Sequence, residues 1–383
     1  MGNILLLTSV LVVLLDFSSA FDTIDHELLL HKLYTFFGIR DNALQWFRSY
    51  LKDRKFFVKI GDVFSKGGDL DCGVPQGSIL GPVLFTLYSQ DIKGVIENHG
   101  LNYHMFADDV QLYLPYSGNT SNLSALQSCL KDIIQWSKQN SLKLNDAKTK
   151  FLNISMKNCK HTVNQITLFG TTFVAELNTK NLGFVLDPKL SCRNQVNKVC
   201  KIGYFMLGNL WRISSKLTSI ALKTQLVHSC VLSHIDYCNA LYHGITKSEV
   251  HKLQRLMNSS LRFIHSIKNS RTPITPYMKL SHFLPVHLRI KFKICVLVFK
   301  CVNKSAPQYL QNLLAPKVSL PSLRVYNDVT LLQSQSFETL SYRQRRFSLV
   351  APKYWNELPK SLRTLPSICE FRNQLKTYLY NQF

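Results

Sequence analysis

Tyr103-His104-Met105-Phe106-Ala107-Asp108-Asp109-Val110-Gln111-Leu112-Tyr113-Leu114 sets two adjacent carboxylates between flanks rich in Tyr, Phe, Val and Leu, residues that suit half-buried strands. Neighbouring side chains of a straight strand point to opposite faces, so Asp108 and Asp109 can approach one site only at the tip of a tight hairpin. Two carboxylates held close repel, and each raises the other's pKa unless a positive charge lies between them. A divalent cation answers that need, because Mg²⁺ is normally held by one or two carboxylates together with substrate phosphates. A polar turn joining two core strands would carry the same dipeptide. A third carboxylate in a matching setting separates the two readings.

The apolar run Ile4-Leu5-Leu6-Leu7-Thr8-Ser9-Val10-Leu11-Val12-Val13-Leu14-Leu15 ends abruptly at Asp16 and offers that third carboxylate. Continuous Val and Leu of this kind suit a strand covered on both faces, and the run is too short to cross a membrane. A secretory leader is the rival reading, since Ser18-Ser19-Ala20 imitates a cleavage site, but no Lys or Arg precedes the run. Residues 1–15 are expected to form the unsupported, least stable edge of a sheet.

The chain has 383 residues, enough for two or three domains, and ten Cys without the spacing of a disulfide framework. Reduced thiols and an intracellular setting, nuclear or cytoplasmic and not secreted, are the expectation. Residues 1–188 hold 17 Lys and Arg against 17 Asp and Glu, and residues 189–383 hold 29 against 6, so the whole net charge of +23 lies in the second stretch. Such a half attracts a polyanion, nucleic acid first and an anionic membrane surface second.

Helical periodicity marks residues 27–37, where Asp22 and Asp25 are read as caps, and residues 42–51 with Trp46 and Phe47. Residues 56–60 and the Gly61-Asp62 turn predict a hairpin. Cys72-Gly73-Val74-Pro75-Gln76-Gly77-Ser78-Ile79-Leu80-Gly81-Pro82 follows, and then an apolar helix over 83–88. Glycines and a proline before a helix allow close backbone approach to a ligand, and a helix start favours phosphate. A helix over 123–140, a strand after Asn145-Asp146-Ala147-Lys148-Thr149 and a strand pair around Leu182-Gly183 complete the first half. From about Ser191 the pattern is helical and basic.

The order of these motifs resembles the palm of reverse transcriptases, specifically those of LINE-like non-LTR retrotransposons of the jockey and chicken-repeat kind. The closest matches are Leu-Leu-Asp-Phe-Ser-Ser-Ala-Phe-Asp-Thr-Ile-Asp-His at 14–26 and Gly-Val-Pro-Gln-Gly-Ser-Ile-Leu-Gly-Pro at 73–82, with Phe-Ala-Asp-Asp at 106–109, Asn-x-x-Lys-Thr at 145–149 and Leu-Gly at 182–183. Leu232-Ser233-His234-Ile235-Asp236-Tyr237-Cys238 and Ala351-Pro352-Lys353-Tyr354-Trp355-Asn356 look like the family's thumb-side and C-terminal segments.

The resemblance implies an α+β fold: an antiparallel palm sheet backed by helices over 1–189, a helical thumb-like region over 190–270, and a basic, mainly helical C-terminal region over 271–383. It implies RNA-directed DNA synthesis on an RNA template from a DNA primer and dNTPs, with Mg²⁺, or Mn²⁺ in its place, held by Asp16, Asp108 and Asp109. Lys148 would act as proton donor to pyrophosphate. Phe17, Phe21, Pro75, Gln76 and Gly77 would line the substrate, with Phe21 beneath the sugar, where a ring excludes a ribose 2′-hydroxyl. Family members carry fingers and an endonuclease upstream, whereas only fifteen residues precede Asp16. An inactive or domesticated remnant that binds nucleic acid without polymerising is therefore the alternative.

In the basic half, His228, Cys230, His234 and Cys238 invite a zinc reading, but ligands spaced by four on one helix span too far for one ion, and buried packing is the expectation. Basic stripes on helices over 253–264 and 288–302 fit a surface that grips a nucleic-acid backbone without reading sequence. Arg343, Arg345 and Arg346 form a denser cluster, weakly specified as a nuclear signal.

Overall fold

The computed structural model describes residues 9–155, 161–168, 171–217, 219–317, 331–333 and 345–383. The chain divides into two units, Met1–Ser191 and Cys192–Phe383. In chain order the first contains β1 (Ser9–Leu15), β2 (Phe17–Ser18), α1 (His26–Thr35), α2 (Asp41–Leu51), β3 (Lys55–Phe56), β4 (Lys59–Ile60), β5 (Val63–Phe64), β6 (Gly68–Asp69), α3 (Gly81–Ser89) and α4 (Ile92–Asn98). It continues with β7 (Asn102–Phe106), β8 (Asp109–Tyr116), α5 (Thr120–Gln139), β9 (Lys143–Leu144), β10 (Lys150–Ile154), β11 (Gln165–Leu168), β12 (Thr171–Val174), β13 (Thr179–Asn181) and β14 (Phe184–Leu186).

The main sheet is antiparallel throughout, in the order β10-β1-β8-β7. Leu11 faces Leu114, Val13 faces Leu112 and Leu15 faces Val110, so one side of the sheet carries matched apolar pairs. That side packs on Leu29, Leu30 and Leu33 of α1, Leu84, Phe85 and Tyr88 of α3, and Leu130 and Ile133 of α5 in one core. The α+β reading, an antiparallel sheet backed by helices and followed by a mainly helical region, describes the molecule. One expectation is corrected: β1 is not an edge. Its flanks are taken by β8 and β10, whose backbones pair the N–H and C=O groups that an edge strand would leave open. The edges are β7 and β10; residues 4–8 of the apolar run lie outside the described residues.

Between α2 and the Pro-Gln-Gly loop, β3–β6 and β4–β5 pair as one long hairpin. Phe106 and Asp109 pair across the β7–β8 turn, and Ala107 takes a left-handed φ of 52°, a conformation that glycine adopts more cheaply.

The second unit is helical: α6 (Arg193–Arg212), α7 (Ile220–Val227), α8 (Ser233–Asp236), α9 (Lys247–Ile264), α10 (Thr275–Leu280), α11 (Val286–Val302), α12 (Gln308–Gln311), α13 (Phe347–Asn356), α14 (Lys360–Arg363) and α15 (Ile368–Asn381). Thr246 and Ser367 cap α9 and α15 through the backbone N–H of Glu249 and Glu370, a Ser/Thr-x-x-Glu start legible in the sequence. Gly203 lets α6 approach α9, since a Cβ there would stand 2.4 Å from Leu256 Cδ2. Phe299 stacks on Phe371 with ring centroids 4.4 Å apart, and Trp355 packs beside both.

A π-helical turn, His228–Leu232, joins α7 to α8, and the helix ends at Asp236. Cys238 lies beyond that end in a left-handed conformation and is exposed, while Cys230 is half-buried. The expected buried stripe of Cys230, His234 and Cys238 is therefore corrected: the helix stops before the third residue. Arg343 lies outside the described residues. Among the described residues no helix is long and apolar enough to cross a membrane.

Candidate active site

β1 stops where two other segments arrive. Leu15 pairs with Val110, so the residues one step further on, Asp16 and Asp109, come opposite one another at the end of the ladder. On the other flank, Phe17 and Ser18 of β2 pair with Leu144 and Lys143 of β9, and Asn145 N–H donates to Asp16 O at 2.8 Å. Asn145 then turns the chain, because its carbonyl accepts from Lys148 N and Thr149 N at 3.2 and 2.8 Å. This turn brings Lys148 Nζ to 3.6 Å from Asp16 Oδ2. With the lysine side chain 67% exposed, that pair is screened and weak.

Burial holds the Asp109 carboxyl above the usual carboxylate range, and the neighbouring charges of Asp108 and then Asp16 push it further. Asp16 Oδ2 is buried and receives no hydrogen bond. A like-charged group with an orphaned acceptor oxygen is what a cation relieves. Among the described residues no group of three or more His, Cys, Asp or Glu side chains is placed to hold a metal ion. A hard cation such as Mg²⁺ needs none, since one or two carboxylates suffice when water and substrate phosphate fill the remaining positions. The oxygen donors at this strand end fit that pattern.

The Pro-Gln-Gly loop is strapped to the segment that follows Asp16. Gly73 N donates to Ile24 O at 2.7 Å and Val74 N to Phe21 O at 2.8 Å, while His26 Nε2 lies 2.7 Å from Gly73 O. Gly73 needs its glycine: its φ is +83°, and a Cβ there would stand 2.8 Å from Asp22 O. Gln76 Nε2 donates to both Asp22 carboxylate oxygens, at 3.1 and 3.2 Å. Asp22 thus holds the glutamine, and Asp25 alone caps α1 through Leu28 N at 2.8 Å, which corrects the shared capping role. Pro75 O accepts from Ser78 N at 3.1 Å, and Gly77 turns with φ +81° into open space. A cavity of about 530 Å³ opens beside this loop, lined by Asp22, Arg54, Lys55, Phe56 and Gln76 among others.

The half-buried Phe21 ring stacks on Phe85 at 4.8 Å, just after the Asp16 segment. Phe17 does not join the site. Its side chain is 4% exposed and meets Trp136 edge-on in the core, because it follows Asp16 on the opposite face of the chain. The expectation that Phe17 lines the substrate is corrected for its side chain.

Sequence reasoning missed Lys32. Its ammonium donates to Tyr88 O at 2.7 Å, to the Asp91 carboxylate at 2.9 and 3.0 Å and to Asn140 Oδ1, and lies over the Tyr88 ring at 4.6 Å. It fastens α1, α3 and the end of α5, which carry the strap, the Gln76 loop and the approach to β9. Burial holds it below the usual lysine range, and the Tyr88 phenol is pushed up to about 12. The signal was a lysine within the apolar stripe of Leu29, Leu30 and Leu33. A reciprocal amide pair, Gln111 with Asn181 at 2.9 and 3.1 Å, also escaped notice; it fastens the β13–β14 hairpin to β8.

Residues 6–186 match the family model described as reverse transcriptase (RNA-dependent DNA polymerase). Relatives include a probable RNA-directed DNA polymerase from transposon BS of Drosophila melanogaster, 28% identical over 66% of this chain and 28% of its own length. The RNA-directed DNA polymerase from mobile element jockey of the same organism is 24% identical over 65% of this chain and 28% of its own. The chain thus spans little more than a quarter of the relatives it matches. Among solved structures, telomerase from Candida albicans in complex with the TWJ fragment of telomeric RNA is similar at TM-score 0.36 and 14% identity, over 72% of this chain and 51% of that one.

Proposed function

Residues 6–186 are a reverse transcriptase domain, similar to those of jockey, BS and X-element, and on that premise we propose that this chain extends a DNA primer on an RNA template from dNTPs. The observation that carries the reading is the meeting of Asp16 with the Asp108–Asp109 turn at the end of β1, with the buried Asp16 Oδ2 accepting no hydrogen bond and standing 3.6 Å from the exposed Lys148 ammonium.

Reverse transcriptases as a family use divalent metal ions, and Asp16, Asp109 and Asp108 are the residues that would hold Mg²⁺, or Mn²⁺, here. When bound, such ions lower the pKa of a primer hydroxyl and neutralise the triphosphate and leaving pyrophosphate. The chain's own groups do the positioning. Lys148, exposed beside Asp16, carries a proton where the leaving phosphates depart. Gln76, fixed by Asp22, and the open backbone at Gly77 line the incoming nucleotide, with Pro75 shaping the turn. Phe21, propped on Phe85, lies under the sugar and selects deoxynucleotides.

The basic second unit grips the nucleic-acid backbone. Its described carboxylates are engaged internally: Asp236 by Arg289, Glu249 by Lys252 at 3.1 Å, Glu357 by Lys291 at 2.7 Å and Glu370 by Gln374 at 3.0 Å. The excess of Lys and Arg therefore remains for phosphates. We place the chain inside the cell, in the nucleus or cytoplasm, a reading supported by thiols without disulfides at the described cysteines. Primer extension on poly(rA)/oligo(dT) with Mg²⁺, run beside Asp108→Ala, tests the reading. Incorporation should depend on Asp108, and equal incorporation in both samples would remove the site. RNA binding without incorporation in either would leave the non-polymerising alternative.

A further inference from the structure

The hairpin over residues 55–69 carries six large apolar side chains that are each more than half exposed. Phe56 is 54% exposed, Phe57 56% and Phe64 60%, Val58 is similar, and Ile60 and Val63 are more open still. Free apolar surface on this scale marks a binding face. The rings of Phe56 and Phe57 are also seated. Phe56 pairs with Gly68, where a Cβ would stand 2.6 Å from the ring, and a Cβ at Gly67 would stand 2.9 Å from the ring of Phe57. Each ring therefore rests against glycine backbone, and any side chain at 67 or 68 would displace it.

Cations are interleaved with these rings. Lys59 Nζ lies 5.1 Å from the centre of the Phe64 ring, Lys55 is exposed beside Phe56 with Asp69 Oδ1 3.5 Å from its ammonium in a solvent-screened pair, and Lys66 adjoins the two glycines. Arg54 is fixed at the hairpin base, its guanidinium 4.3 Å from the Tyr50 ring and its Nε donating to Tyr50 O at 2.6 Å. Protein interfaces are depleted in lysine, whereas sites for unpaired nucleic acid combine flat rings for the bases with cations for the phosphates. Phe56, Lys55 and Arg54 also line the 530 Å³ cavity with Gln76, so the ring nearest the candidate active site is one of the seated pair.

We propose that this hairpin is a stacking platform for an unpaired nucleic-acid strand, and that Phe56 holds a base of the single-stranded template next to the Gln76 loop. The proposal rests on the polymerase reading for the identity of the strand. The contact it names is separate from catalysis.

The test is the affinity of the full chain for two labelled RNA–DNA duplexes, one blunt and one with a 5′ single-stranded RNA overhang. Removing a stacking ring costs about 1–3 kcal/mol per base, so Phe56→Ala should weaken overhang binding roughly 5- to 150-fold, with the blunt duplex held as before. Phe56→Trp, which keeps a ring, should retain the wild-type affinity. Phe56→Leu, which keeps apolar surface without a ring, should behave as Phe56→Ala. Unchanged overhang binding in Phe56→Ala, equal loss on both duplexes, or rescue by Leu would overturn the platform. Binding needs no turnover. A platform that fails while Asp108-dependent incorporation persists removes the platform alone, and incorporation that ignores Asp108 removes the polymerase reading alone.

Discussion

Asp91→Ala should destabilise the first unit by more than the exposed ion pairs of this protein can. Lys32 is 4% exposed at its side chain and Asp91 30%, and the carboxylate supplies two of the ammonium's acceptors. Breaking a buried pair by removing one partner costs about 3–5 kcal/mol, and partial access of water to Asp91 brings the expected loss to about 2–3 kcal/mol. In a unit of this size that corresponds to a melting temperature lower by roughly 4–12 °C. The sign with pH is fixed by the direction of the lysine shift. Burial lowers the Lys32 pKa from 10.5 and Asp91 opposes this, so without Asp91 the folded state holds the proton still less firmly. A base with a depressed folded pKa gains stability as pH rises toward its unfolded value, so the deficit of Asp91→Ala should be no larger, and should shrink, at the higher of two pH values below 10.5. Chemical denaturation of wild type, Asp91→Ala, Lys32→Met and the double variant at both pH values measures it. The double variant should lie within about 1 kcal/mol of Lys32→Met, because the coupling is already gone. A loss under about 0.5 kcal/mol for Asp91→Ala, or a deficit that widens as pH rises, would refute the reasoning.

Two further outcomes are expected. The Asp109 carboxyl is raised above 3.8 by burial and by Asp108 and Asp16, so the stability it contributes is full below that value and is lost as pH rises through its folded pKa. Asp109→Asn should therefore raise the melting temperature at pH 7 in EDTA and gain less from added Mg²⁺ than wild type does; equal Mg²⁺ responses in differential scanning fluorimetry would contradict this. Binding of single-stranded RNA by the full chain should weaken steeply with salt, with a log–log slope of about −0.7 per phosphate neutralised, and a slope near zero in a filter-binding titration would exclude the role given to the basic half.

Much of this architecture was legible because it follows from local chemistry. The uninterrupted Val and Leu of β1 require cover on both faces, and the short turn between Phe106 and Asp109 follows from two strand-like flanks separated by two residues. Long-range pairing was not legible in the same way. β1 sits beside β8 and β10, about 100 and 140 residues away in sequence, and a reading of local pattern that put it at an edge could not see both partners. The Lys32 cluster joins segments 56 and 108 residues away, so a lone lysine in an apolar stripe gave the only hint. At Asp22, sequence proximity to a helix start suggested a cap, whereas the strap at Gly73 turns the carboxylate to Gln76. Phe17 followed the catalytic-looking Asp16 in sequence but points the other way, as strand alternation dictates.

Iron-directed cleavage tests the shared carboxylate site without relying on turnover. With Fe²⁺ in place of Mg²⁺ and ascorbate present, radicals cut the backbone next to the bound ion, and the fragments can be mapped by mass. Cuts near both Asp16 and Asp108–Asp109, suppressed by excess Mg²⁺ and lost together in Asp16→Ala, are predicted. Cuts at one segment only, or a pattern indifferent to Mg²⁺ and to Asp16, would contradict a cation held jointly at the end of β1 and the β7–β8 turn.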